Sequence, residues 1–245
     1  MIDPDDVFTS TGNGFLDRAP STARDRLFEA ATPRELVEGE ILQEPGETIE
    51  TIYLPTTGII SLLAVTRSGS AVEAGLVGRE GFAGIPGVLG RDAPGNLQAM
   101  SQIAGQALAV ETKLVVEEMD ASDELASLVK GYINAVWAET AQSVACNRLH
   151  TVEERCARWL LLVRDRLGRS EFRLTQEFLA MMLGIRRPSV SVAAEAMQEQ
   201  GLISYHRGDL KILDGGRLRE ASCECYAIIR AELDAALPGA LGPPI

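Results

Sequence analysis

Histidine and cysteine are scarce in this chain, 2 and 4 among 245 residues, and the scarcity narrows its chemistry. A Ser/His/Asp device would have to use His150 or His206, one at a helix junction and the other in a polar loop. The sequence holds no P-loop, no GxGxxG behind a strand and no HExxH, so no catalytic residue is expected. None of Cys146, Cys156, Cys223 and Cys225 forms a CxxC pair, which argues against a disulfide framework or a structural zinc site. Cys223 and Cys225 are two apart, and side chains so spaced on one helix point away from each other. Cys146 and His150, four apart at a helix end, are expected to pack at a domain junction rather than hold haem. No metal and no cofactor is expected. No apolar run reaches the length of a membrane span, and the acidic start MIDPDDVF has no basic stretch of the kind that opens a secretory leader. A cytoplasmic protein without a membrane partner is the expectation. Hydrophobic and charged fractions of 46% and 24% are those of a globular chain, and the length favours two domains.

The most informative stretch runs from Leu174 to Leu213, LTQEFLAMMLGIRRPSVSVAAEAMQEQGLISYHRGDLKIL. Thr175 is a helix N-cap candidate, and Leu179, Met182 and Leu183 follow at helical spacing. Ala180 is small, as two closely crossing helices require, and Gly184 closes the first helix. Pro188 suits the first turn of a second helix, which runs to Gln200 with Val192, Ala193, Ala196 and Met197 expected to face inward. Gly201 stops it. Two short apolar runs then flank His206-Arg207-Gly208-Asp209, a hairpin loop of wing type. Arg186, Arg187, Ser189 and Ser191 gather at the start of the second helix, the end that a helix-turn-helix inserts into the major groove. Guanidinium groups suit guanine edges, and hydroxyls suit phosphates.

A formal charge of −12 runs against that reading until its distribution is considered. Residues 1–146 hold 9 Lys/Arg against 22 Asp/Glu, residues 147–219 hold 13 against 9, and residues 220–245 hold 1 against 4. The basic surplus coincides with the helix-turn-helix, and the acidic front would repel nucleic acid.

In chain order the sequence predicts an α+β protein. Residues 1–18 read as a flexible lead-in. Residues 19–120 read as an antiparallel β-roll, with one short helix near 20–31 and strands expected at 37–42, 48–54, 59–65, 71–77, 97–103 and 106–110. Residues 121–147 read as one long helix, residues 148–220 as the winged helix-turn-helix, and residues 221–245 as a C-terminal helix and tail, the helix spanning about 218–237. On the long helix Leu125, Val129, Tyr132, Val136 and Val144 lie on a broad apolar stripe. Burial within one chain and a dimer seam both fit it. The seam is the expectation, because the helix links a sensor-like roll to a DNA module. Thr151-Val152-Glu153-Glu154 fits a capping box.

A β-roll, a long helix and a winged helix in this order resemble the CRP/FNR family of bacterial transcription regulators over about residues 19–220. LTQEFLAMMLGIRRPSV…GLI is similar to the family's helix-turn-helix, EGEILQEPGE with IYLPTTGIISL to its opening strands, and VGREGFAG to its central turn. The resemblance implies a homodimer on a two-fold related double-stranded DNA site, with RNA polymerase as a further partner. It makes Arg187 the main base-reading residue, Thr175 and Ser189 phosphate contacts, and Gln176 a contact at a position often basic. His206 and Arg207 would serve in the wing. Pro188 and Val192 stand where familiar members carry contacting acid and arginine, which implies a different recognised sequence. The family's cyclic-nucleotide cassette would fall at Pro94-Gly95-Asn96, a poor match. Arg79, Glu80 and Arg91 remain as candidates for an effector pocket, the effector itself being unnamed, and cyclic AMP is not the expected one. An iron–sulfur sensor of the family's type needs cysteines near the N-terminus, and residues 1–145 contain none. The competing reading is a sensor whose winged helix docks a protein partner.

Overall fold

The computed structural model describes residues 10–90 and 94–242. A 3-10 turn at Leu16–Arg18 precedes α1 (Ser21–Ala30), β1 (Thr32–Leu36), β2 (Ile41–Gln43), β3 (Thr51–Pro55), β4 (Ile59–Val65), β5 (Ala71–Val77), α2 (Ile85–Leu89), β6 (Gln98–Ile103) and β7 (Gly105–Glu111). Helices α3 (Thr112–Ala121), α4 (Asp123–Leu149) and α5 (Val152–Leu167) lead into β8 (Glu171–Arg173), α6 (Gln176–Leu183), α7 (Arg187–Glu199), β9 (Ile203–His206) and β10 (Asp209–Ile212). Helices α8 (Gly215–Glu220) and α9 (Cys225–Ala236) complete the order. The roll is two antiparallel sheets, β1-β7-β3 and β2-β6-β4-β5, and the wing is a third, β8-β10-β9.

Several expectations need correction. The strand expected at 37–42 is broken, because Glu40 N donates to Val37 O in a tight turn that separates β1 from β2. Asn13, Phe15 and Leu16 of the supposed flexible lead-in are buried. Asn13 is buried and donates through Nδ2 to Pro55 O at 2.9 Å and to Gly81 O at 2.8 Å, and Phe15 packs edge-on against Phe82 at 4.9 Å. Residues 1–9 lie outside the described residues. The single C-terminal helix is two, α8 and α9, interrupted at 221–224.

Ser122 caps α4 by accepting from Leu125 N at 3.2 Å, with Asp123 and Glu124 in the first turn, where negative charge opposes the positive helix end. Leu125, Val129 and Tyr132 are fully buried within the single chain, and Val136 packs beside them. Leu125, Val129 and Tyr132 spend their apolar area on the roll and keep none to offer a second chain, whereas Val136 is half-buried. Tyr132 explains why the central turn needs a glycine: a Cβ on Gly81 would lie 2.3 Å from its ring. Tyr132 Oη donates to Phe82 O at 3.0 Å and accepts from Phe82 N at 3.2 Å, fastening the turn to α4.

The helix-turn-helix unit does not hang free. One apolar cluster joins Ile59, Leu76 and Ile103 of the roll to Trp159 and Leu162 of α5 and to Met182 and Val190 of the helix-turn-helix. Through this contact Arg166 of α5, fully buried, reaches Glu80 of the central turn at 2.8 Å and Glu139 of α4 at 2.6 Å. Close by, Trp159 Nε1 donates to Glu73 Oε1 of β5 at 2.7 Å.

Cys223 precedes α9 rather than lying on a helix with Cys225. The expectation that the two side chains diverge therefore fails: both thiols turn toward Cys146 and His150.

Candidate nucleic-acid interface

Thr175 caps α6, its hydroxyl accepting from Phe178 N at 3.2 Å. Gly184 ends the helix at φ +61, a left-handed conformation that glycine adopts without strain. Two residues later α7 begins, with Arg186 at its cap, Arg187 as its first residue and Pro188 in its first turn. Arg186, Arg187 and Pro188 are all exposed. The positive end of this 13-residue helix favours an anion at the same place.

The buried face of α7 is Val190, Ala193, Ala194 and Met197, three and four apart. Val192 was expected to face inward, but it lies off that stripe and is 62% exposed. It lies on the outer face with Pro188, four residues before it, an apolar group of the kind that meets a thymine methyl.

Two expected contact residues have local work as well. Ser191 Oγ donates to Gln176 Oε1 at 2.7 Å, so their side chains bridge α6 and α7 and fix the crossing of the two helices. Ser189 is half-buried at the start of α7, its N–H donating to Arg186 O at 2.9 Å.

The wing is a two-residue hairpin, with His206 opposite Asp209. Arg207 and Gly208 have φ +51 and +91, the left-handed pair that matches the twist of antiparallel strands. An arginine in that conformation is strained, by about 1 kcal/mol or more, and is fully presented at the tip. His206 is exposed beside it. Tyr205 ties the wing to its neighbours: its N–H donates to Gln198 Oε1 at 2.9 Å and its Oη to Leu174 O at 2.7 Å.

Strand β8 and two exposed cations that flank the wing, Arg169 and Arg173, escaped the sequence reading. Three residues are too few to show a strand period. The arginines could have been found only by folding Glu171–Arg173 onto β10, where Arg173 faces Asp209.

Of the candidate effector residues, Arg79 and Glu80 are each engaged by other parts of the chain. The Glu80 carboxylate accepts from Arg166 Nε at 2.8 Å and from Gly78 N at 3.1 Å. Arg79 Nη2 donates to Leu241 O at 3.3 Å near the C-terminus, and Arg91 lies outside the described residues. A cleft of about 660 Å³ does exist elsewhere, between β3, α2 and the start of α3, lined by Glu50, Glu111, Glu117 and Lys113 among others. It touches none of Arg79, Glu80 or Arg166, and its acidic lining does not suit a phosphate.

On α4 the exposed side chains include Asn134, Trp137, Ala141 and Val144, which alternate in steps of three and four. Trp137 is 72% and Val144 68% exposed. Of the five residues expected at a seam, Val144 alone is on this outer line.

Residues 154–221 match the family model described as a Crp-like helix-turn-helix domain. No curated protein sequence matches the chain. Among solved structures, FixK2 from Bradyrhizobium japonicum is similar with a TM-score of 0.68 at 17% identity, covering 79% of this chain and 98% of its own. A c-di-GMP responsive global regulator from Xanthomonas campestris, CLP, gives 0.64 at 14% identity, covering 80% and 100%. A CRP family transcriptional regulator from Thermus thermophilus gives 0.62 at 19% identity, covering 77% and 96%. At such identities the likeness is one of fold.

Proposed function

We propose that this chain, which has the fold of CRP/FNR transcription regulators and a Crp-like helix-turn-helix domain, is a homodimeric regulator that binds a two-fold related double-stranded DNA site. The observation that carries the reading is the exposed pair Arg186-Arg187 at the open end of α7, with Arg207 presented by the wing beside it. Arg187 reads a base edge, and Val192 adds an apolar contact. Thr175, Ser189, His206, Arg207 and the newly found Arg169 and Arg173 serve the phosphates. Gln176 and Ser191 fix the helix crossing from which those contacts are made. The protein works by binding rather than by catalysis, in the cytoplasm, with RNA polymerase as the partner of the bound dimer. Among the described residues no helix is long and apolar enough to cross a membrane.

Selection of bound duplexes from a random pool, with and without cyclic AMP, tests the reading. A palindromic motif is expected in both conditions, because Glu80 of the turn that resembles a nucleotide-binding motif is engaged by Arg166. A motif recovered only with cyclic AMP would overturn the ligand independence. No preference for any duplex would favour the protein-docking alternative.

Arg187→Ala should weaken specific binding by about 1–3 kcal/mol and relax selectivity at one base pair. Equal losses on the selected and on random duplexes, measured by fluorescence anisotropy, would remove the base-reading assignment.

The dimer forms along the outer line of α4, since its step of three and four is the spacing at which two parallel helices interlock. Trp137→Glu should yield a folded monomer by light scattering, with an unchanged thermal transition and a large loss of affinity for the two-fold site. A dimeric variant would refute this seam. Val136→Glu would not test it, because Val136 packs against the roll.

A further inference from the structure

We propose that Cys146, His150, Cys223 and Cys225 form a binding site for one thiophilic divalent cation, Zn²⁺ by its donor set. The proposal neither rests on the DNA-binding reading nor follows from it. One ligand atom from each of the four residues lies within 4.8 Å of all the others. A tetrahedral zinc centre has Zn–S near 2.3 Å and Zn–N near 2.0–2.1 Å, which puts neighbouring donor atoms roughly 3.4–3.8 Å apart. The side chains already stand close to that: Cys146 Sγ is 3.5 Å from Cys223 Sγ, and Cys225 Sγ is 3.5 Å from His150 Nδ1.

The surroundings are those of a metal centre rather than of a chance thiol cluster. Nε2 of His150 lies 3.2 Å from Glu224 Oε2, so the carboxylate holds the N–H on Nε2 and leaves the Nδ1 lone pair toward the sulfurs. That arrangement orients metal-bound histidines generally. Gln142 Nε2 donates to Cys225 Sγ at 3.1 Å, a bond that favours thiolate. All three cysteines are buried. Three thiolates and a divalent cation carry one net negative charge, and Arg155 and Arg158 of α5 act electrostatically on Cys146 from beside it.

Four protein ligands leave no open position, so the site is structural. Donor atoms this close together suit a single ion, whereas a cluster of several irons would hold them further apart. The thiols release their protons to solvent as the ion binds, and the binding free energy becomes folding free energy. The ion would staple the end of α4 to the start of α9 and the turn before it. His150 also directly precedes Thr151, which caps α5. The ion would therefore fix the point where the long helix hands over to the DNA-binding unit.

The test uses the full chain, purified reduced, stripped with a chelator and titrated with Co²⁺, then with Zn²⁺. One Co²⁺ per chain is expected, with thiolate-to-cobalt charge-transfer and tetrahedral ligand-field bands that Zn²⁺ abolishes. Replacing both Cys223 and Cys225 by Ser should abolish the bands, whereas Cys156→Ala, outside the cluster, should retain them. Glu224→Gln, an exposed change that leaves the fold intact, should weaken Co²⁺ affinity by about 10–100-fold, and it decides the matter should the double variant not fold. The proposal is overturned if the reduced chain binds no Co²⁺, if the Cys223/Cys225 double variant binds it equally, or if Glu224→Gln leaves the affinity unchanged. Oxidation to a Cys146–Cys223 disulfide in a chain that, when reduced, binds no Co²⁺ would assign these thiols to redox chemistry instead.

Discussion

Arg166→Met is expected to destabilise the protein by about 3–5 kcal/mol, the range for removing one member of a buried ion group. Arg166 is fully buried and bridges Glu80 at 2.8 Å and Glu139 at 2.6 Å. Without the guanidinium, two carboxyl groups face each other in an apolar setting, and burial already raises the pKa of Glu139. The same residues join three parts of the molecule, since Glu80 belongs to the central turn of the roll, Glu139 to α4 and Arg166 to α5. The loss should therefore appear as separation of the DNA-binding unit from the roll as well as in the global transition. Adding Glu80→Gln and Glu139→Gln to Arg166→Met should restore much of the stability, because the penalty lies in unpaired charge rather than in lost volume. Urea midpoints at constant m value measure both effects. A loss below about 1 kcal/mol for the single variant would mean that water enters the junction and screens the pair.

The second large effect is a dependence on pH centred on Glu73. As a residue it is half-exposed, but its carboxyl group is turned inward between Ser61 and Trp159, and that burial pushes its pKa from 4.5 up to about 8. The hydrogen bonds agree with a protonated carboxyl group. Ser61 Oγ is 2.8 Å from Glu73 Oε2 and 2.5 Å from Gln102 Oε1, and a hydroxyl has one proton to give. With Glu73 protonated, its O–H donates to Ser61, Ser61 donates to Gln102, and Trp159 Nε1–H donates to Glu73 Oε1. Between pH 4.5 and about 8 the unfolded chain surrenders this proton while the folded chain keeps it. The folded state binds more protons there, so stability falls as pH rises: the contribution is complete below pH 4.5 and lost by about pH 8. The slope is roughly 1.4 kcal/mol per pH unit at its steepest. Glu73→Gln keeps an acceptor for Trp159 and supplies a permanent donor to Ser61. It should match the parent near pH 4, exceed it by several kcal/mol at pH 9, and flatten the profile between. Urea unfolding at pH 5, 7 and 9 tests this, and an unchanged slope in the variant would clear Glu73 of responsibility.

The helix-turn-helix was legible in the sequence because its signals are local. A capping threonine, a left-handed glycine, a proline in the first turn and a glycine stop each act within a few residues, and α6 and α7 begin and end where those residues stand. Strands β4 and β5 were equally plain, their apolar runs bounded by turn residues on both sides. What the sequence hid was anything decided by partners distant in the chain. The stripe on α4 was visible as apolar, but periodicity cannot say whether the roll or a second chain covers it. Leu125, Val129 and Tyr132 went to the roll, while Trp137, on the outer line, faces solvent. Val192 was misplaced because Val190 and Ala194, rather than Val192, complete the buried face with Ala193 and Met197. The cysteines misled for a related reason. Their spacing was judged as if Cys223 and Cys225 shared a helix, and the break at 221–224, which brings them to Cys146 and His150, has no strong local marker. Glu80 belonged to a turn that resembles a nucleotide-binding motif, but its partner, Arg166, is 86 residues away.

The bond between Ser191 and Gln176, together with the two that Tyr205 makes to Gln198 and Leu174, has a consequence for how such a protein can change. They lock both helices and the wing into one reading head, and the roll meets that head through the apolar junction and the buried ion group rather than through its contact residues. A shift at the junction can then turn or release the head as a unit but cannot rearrange its fingers. Which sequence is recognised and how much of the protein is competent to recognise it become separate quantities, set by different residues. Drift in the roll can retune when the protein acts while its set of target sites, ranked by affinity, stays in the same order.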